Sequence, residues 1–155
     1  MKRHRQYGFA WSWKTIALAA LMTTVLAGCG GRENLGSVSG QVKLGDQPLA
    51  GALIRFQPQQ PGSPSSAISD ESGYYTLTYT RDLRGAEIGT HRVTISTFSR
   101  GNPDGEPPAP PVPERVPAKY NTASQLTAEV KQGSNEIDFQ LESTAPVVQP
   151  TSAED

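Results

Sequence analysis

Two side chains in this sequence combine a reactive type with a position from which they could work: the Cys29 thiol and the His91 imidazole. Cys29 is the single cysteine, so no intramolecular disulfide can form and the thiol is free for another bond. His91 is the one histidine after residue 28. A lone imidazole can serve as a general base or a metal ligand. A zinc site takes three or four His, Cys or carboxylate ligands, however, and this pair cannot supply them. Asp70 and Glu71 lack the further oxygens and loop spacing of a helix-loop-helix calcium site, so a tight turn is expected there. Serines and threonines are plentiful, but none stands in a nucleophile motif with a base nearby. The reading is of no catalytic residue, no metal and no cofactor.

The surroundings of Cys29 say more than the residue itself. Lys2, Arg3 and Arg5 precede an apolar run from Thr15 to Ala27. Its length falls within the roughly 7–15 residues of a signal-peptide core and short of the ~20 a membrane-spanning helix needs. Leu26-Ala27-Gly28-Cys29 then resembles the bacterial lipobox. That resemblance implies a signal peptide over 1–28, cleavage before Cys29, a diacylglyceryl thioether on its sulfur and an acyl chain on its freed amine. Several acyl chains together anchor stably, whereas one binds a membrane only marginally. Residues 29–36 then form a lipidated tether. The residue directly after Cys29 is Gly30, not Asp. By the same resemblance this implies secretion through the inner membrane and anchoring at the periplasmic or outer face of the outer membrane.

Charge narrows the partners. Four of the fourteen basic residues and none of the fifteen acids lie in the first 28, which leaves −5 for the remainder. That sign argues against nucleic acid, whose affinity rests on cations meeting phosphates. Fifteen glycines and thirteen prolines suit short strands joined by many turns.

From Ser37 the apolar spacing takes the period of two that marks strands. Alternating segments fall at 38–44, 52–57, 66–69, 74–79, 91–96, 126–130 and 137–141. Turn chemistry separates them at Gly45–Pro48, Asp70–Gly73 and Lys131–Asn135. Asp82–Gly89 reads as a polar connection, and nothing after the signal segment has a helical period. Seven strands over about 100 residues predict an all-β, two-sheet antiparallel sandwich over 37–142. Its expected core includes Val42, Ile54, Phe56, Tyr75, Leu77, Val93, Ile95, Leu126, Val130, Ile137, Phe139 and Leu141. His91 shares a face with Val93 and Ile95, so a packed, hydrogen-bonded imidazole is expected.

Seven prolines between Pro103 and Pro117 preclude a central strand and predict an extended surface segment, partly polyproline II. It offers a ligand for an aromatic groove or a passive loop, and the passive loop is expected. Residues 143–155 lack an apolar period and end in acids, predicting a disordered acidic tail. Tyr74, Phe98 and Tyr120 are candidates for an exposed surface that stacks on a sugar or a partner.

With strands placed, a family resemblance emerges. Val38-Ser39-Gly40-Gln41-Val42, Pro48-Leu49-Ala50-Gly51-Ala52 and Ile54-Arg55-Phe56 resemble the opening of carboxypeptidase regulatory-like domains. Asp70 to Leu77, Gly89 to Ile95, Pro117 to Asn121 and Asn135 to Leu141 are similar to the later segments of that transthyretin-like fold, with His91 where an aromatic is usual. The resemblance implies a seven-stranded Greek-key, prealbumin-like sandwich acting as a folding, adhesion or spacer module. The related transthyretin-like hydrolase needs several histidines, an arginine and a C-terminal Tyr-Arg-Gly-Ser; here the fold ends Phe139-Gln140-Leu141-Glu142. A hydrolase would require His91 in a cleft beside Arg55 or Arg92. The leading expectation is a non-catalytic, lipid-anchored envelope protein whose sandwich serves as a structural module or meets another envelope protein. A surface-anchored carbohydrate-binding module is the alternative.

Overall fold

The structure, a computed structural model, describes residues 34–150. The signal segment, Cys29 with the lipobox residues Leu26, Ala27 and Gly28, and the last five residues of the tail lie outside the described residues.

Among the described residues twelve strands run in chain order: β1 (Leu35–Leu44), β2 (Gln47–Pro48), β3 (Leu53–Pro58), β4 (Ser65–Ile68), β5 (Tyr74–Thr76), β6 (Thr78–Thr80), β7 (Leu83–Arg84), β8 (Ala86–Glu87), β9 (Gly89–Ser96), β10 (Thr127–Val130), β11 (Gly133–Glu136) and β12 (Phe139–Leu141). A 3-10 turn at Ala118–Tyr120 interrupts the long connection between β9 and β10. The architecture is all-β in two sheets. In the first, β1 is central, flanked by β2, β5 and β8 on one side and by β11 and β12 on the other. The second has the order β10-β9-β3-β4-β6-β7.

The seven alternating segments all become strand, with β5 and β6 sharing one of them. That segment divides because Leu77 passes from one sheet to the other: its N–H donates to Val38 and its carbonyl accepts from Gly85. The connection expected at Asp82–Gly89 is strand as well, β7 and β8, and it carries the chain back to the first sheet. One side of the sandwich is thus laced shut by backbone, and on the other the chain crosses between the sheets from β10 to β11.

Pairing is antiparallel except at one place. Strands β11 and β12 lie parallel to β1 in a single register, Ser39 opposite Glu136 and Val42 opposite Phe139. The turn expected over Lys131–Asn135 is therefore shorter, because Gly133 to Glu136 already pair with β1. The chain leaves β10 for the opposite sheet, so its next partner is not the strand before it.

The core sits between the sheets and contains Val38, Val42, Ile54, Phe56, Tyr75, Leu77, Val93, Ile95 and Val130, all at most 1% exposed. Leu126 and Ile137, expected inside, are only partly buried against it. Gly40 on β1 lies against Ile137, the link between β11 and β12, with no room for a Cβ. A Cβ there would fall on the Ile137 carbonyl, and that same carbonyl accepts the Tyr75 hydroxyl at 2.6 Å.

The tail expected to be disordered from Ser143 is tied down over its described part. Ala118 N–H donates to Pro146, and Gln149 pairs with the backbone of Glu114. These polar bonds leave no trace in an apolar period.

Candidate functional site

The residues with chemical potential are distributed, and each has a definite structural setting. His91 is fully buried on the inner face of β9. Its Nε2 lies 2.7 Å from the Glu87 carbonyl, which only a protonated Nε2 can serve, so that nitrogen donates. Its ring tilts against Phe56 at 5.7 Å between centroids, and Nδ1 has no partner among the described residues. Arg55 and Arg92 sit on the outer side of their strands, exposed, so neither shares a cleft with His91. Among the described residues His91 and these arginines are not brought together as a transthyretin-like hydrolase would need.

Asp70 organises the turn expected of it. Its Oδ1 accepts from the Ser72 hydroxyl, the Ser72 amide and the Tyr74 amide. The Ser72 hydroxyl and the Tyr74 amide hold this carboxyl below its ordinary range, ahead of an opposing contribution from burial. Among the described residues no three His, Cys, Asp or Glu side chains gather as metal ligands.

The three candidate aromatics do not make a platform. Tyr74 is exposed on β5 in the first sheet, opposite Gln41. Phe98 is half-buried just past β9 in the second. Tyr120, expected at the surface, is only 8% exposed: its hydroxyl accepts from the Glu142 amide, and Lys119 Nζ sits 4.9 Å from its ring centroid. The reason is its place on the 3-10 turn, which directs the ring into the core while Lys119 reaches out to Glu142.

The proline-rich segment is less passive than its composition suggests. Ser99 pairs with Val112 and Asn102 with Ala109, folding 99–112 back on itself as a flap. Beyond it the chain turns inward, with Glu114 and Val116 buried, so 103–117 is not surface throughout. Glu114 is the most heavily hydrogen-bonded side chain here. Its carboxylate accepts from the Ser96 hydroxyl, the Thr97 amide and hydroxyl, and the Arg115 and Val116 amides. Burial works to raise its pKa, but the bonds from Ser96, Thr97 and Val116 outweigh it and hold the carboxyl below its ordinary value. Sequence reasoning missed this cluster because a lone Glu among prolines carries no pattern.

Cross-strand register assembles one further surface that periodicity could not. On the outer face of the second sheet, Arg84, Thr78, Ser66, Arg55 and Thr94 stand in one row across five strands. Arg92 lies diagonally beside Arg55, opposite Gln57. On the first sheet a shallow groove of about 140 Å³ is lined by Gln41, Lys43, Asp138, Phe139 and Gln140, where Asp138 accepts the Gln41 amide.

No family model matches the chain, and no curated protein matches it in sequence. Among solved structures, the chain is similar to a DUF3823 family protein from Parabacteroides merdae, at 13% identity and a TM-score of 0.37 over 70% of this chain. The match spans 46% of that protein's length.

Proposed function

We propose that this chain is a non-catalytic lipoprotein of the bacterial cell envelope, anchored by lipid on Cys29, whose sandwich serves as a structural or protein-interaction module. The observation that carries it is the setting of the single thiol. Cys29 follows an apolar run and Leu26-Ala27-Gly28, and it precedes Asn34, where the compact unit begins, by only a few polar residues. A cysteine so placed is suited to acylation and to holding a domain close to a bilayer. The non-catalytic half draws support from His91, whose imidazole is packed on Phe56 and committed to the Glu87 carbonyl.

The same reading assigns the sandwich to the carboxypeptidase regulatory-like, transthyretin-like type in Greek-key order. The segments behind that resemblance have structural duties that suit it: Ser69 hydroxyl donates to the Leu49 carbonyl and accepts from the Ala52 amide, and Gly73 closes the Asp70 turn at φ +76°. The lipobox resemblance, with Gly30 rather than Asp directly after Cys29, supports an anchor at the outer membrane.

Fractionation tests the anchor. The wild-type chain should sediment with membranes and Cys29→Ala should appear in the soluble extracytoplasmic fraction. Membrane retention of Cys29→Ala, or a native mass spectrum with an unacylated N-terminus, would defeat the proposal.

A further inference from the structure

The geometry points to the outer face of the second sheet as a docking surface for a carboxylated polysaccharide. Over the described residues acids outnumber bases by twelve to nine. Yet at the outward positions of these strands Arg55, Arg84 and Arg92 share the face with one carboxylate, Glu129 on the edge strand β10, opposite Thr90, and the Arg92 Nε donates to the Ser124 carbonyl. Arg84 and Arg55 are three strand spacings apart, roughly 14 Å, and Arg92 lies roughly 7–8 Å from Arg55 on the diagonal. Among the described residues the one ion pair is Lys119 with Glu142, so no described carboxylate lies within ion-pair distance of these guanidinium groups.

The chemistry between the arginines selects the occupant. Ser66, Thr78 and Thr94 fill the row with hydroxyls, which both donate to and accept from sugar hydroxyls. Leu53 and Ile68, paired across β3 and β4 and 43% and 71% exposed, add apolar surface beside the row for the C–H faces of sugar rings. Guanidinium groups take carboxylates in paired hydrogen bonds, so acidic groups repeated along a polymer can meet successive arginines. The surface is a broad sheet face rather than an enclosed pocket, which suits a polymer lying across strands. The inference goes beyond the proposed envelope role and relies on it only for where such a polymer is met.

The test uses the full chain in mild detergent, with polygalacturonate as the probe and dextran and poly-glutamate as comparisons. Polygalacturonate should bind, weaken as ionic strength rises, and bind Arg55→Gln/Arg84→Gln about tenfold or more less tightly. Dextran should not bind, and Arg100→Gln, outside this face, should leave affinity unchanged. Circular dichroism and melting of the double variant should match wild type, since both side chains are exposed. Three results overturn the inference: no binding of polygalacturonate, binding indifferent to Arg55 and Arg84, or equal binding of poly-glutamate, which would indicate an acidic protein partner. None depends on lipidation, so failure here is separable from failure of the membrane anchor.

Discussion

Gln149 pairs its carboxamide with the backbone of Glu114 in both directions, accepting from the amide N–H at 2.9 Å and donating to the carbonyl at 2.8 Å. The side chain thus imitates a strand partner for a segment that has none. It closes the chain's C-terminal stretch onto the loop that carries the buried carboxylate.

Gln149→Ala should therefore free the tail without unfolding the sandwich. Two net hydrogen bonds in partly exposed surroundings suggest a loss of about 1 kcal/mol. Limited proteolysis should cut the variant between Ser143 and Pro150 faster than wild type, with the core fragment intact. Equal cleavage rates would mean that the pairing does not hold the tail in solution.

Glu114 fastens the middle of the β9–β10 connection to the end of β9. Glu114→Ala should cost about 2–3 kcal/mol, because donors from Thr97 and Val116 lose a charged acceptor in a buried place. The acid dependence has a defined sign. The folded protein holds this carboxyl below its ordinary value of 4.5, so its stabilisation is present above that pH and lost as pH falls through the depressed folded value. Asp70 and Glu142, exposed carboxyls also held low, lose stability in the same direction. The informative quantity is the difference: Glu114→Gln should show a shallower drop in melting temperature below pH 4.5 than wild type. Parallel curves would remove Glu114 from the acid response.

How far the sequence discloses this molecule depends on which interaction is asked about. Alternation identifies Val42, Ile54, Phe56, Tyr75, Val93 and Ile95 as inward, and all are buried, because facing the core is a property each strand declares by itself. Alternation cannot say which strand lies alongside. Thus the parallel course of β11 and β12 beside β1 and the row joining Arg84 to Arg55 emerge only from register. Tyr120 shows the limit for single residues: an aromatic between Lys119 and Asn121 reads as exposed until the 3-10 turn fixes its direction. Glu114 and Gln149 were illegible because their partners are backbone amides and hydroxyls, which every segment possesses.

Gly40 is required by contact rather than by conformation. Its place on β1 brings it beneath the Ile137 carbonyl, and a methyl group there would push the two parallel strands apart. Gly40→Ala should cost about 2–3 kcal/mol by overpacking and weaken the bond from Tyr75 that shares that carbonyl. Denaturant unfolding measures the cost. A variant within 0.5 kcal/mol of wild type, the ordinary range for surface changes, would show that the strands can separate cheaply.

Tyr75 supplies the last prediction, since its ring stacks on Phe139 at 6.2 Å while its hydroxyl spans to Ile137 on the opposite side of Gly40. Burial, with the nearby Asp138 charge adding to it, pushes this phenol well above the ordinary tyrosine value of 10.0. A raised folded pKa means that the stabilisation is fully present below pH 10 and is lost as pH climbs through the folded value. In ultraviolet titration, Tyr75→Phe should leave the absorbance change near pH 10 unaltered and remove amplitude only from the later, unfolding-linked step. It should also lose about 1–1.5 kcal/mol of stability at neutral pH, because Ile137 keeps its carbonyl but loses its donor. If instead Tyr75→Phe reduces the amplitude near pH 10, the phenol is accessible to hydroxide and the seam at Gly40 opens in solution.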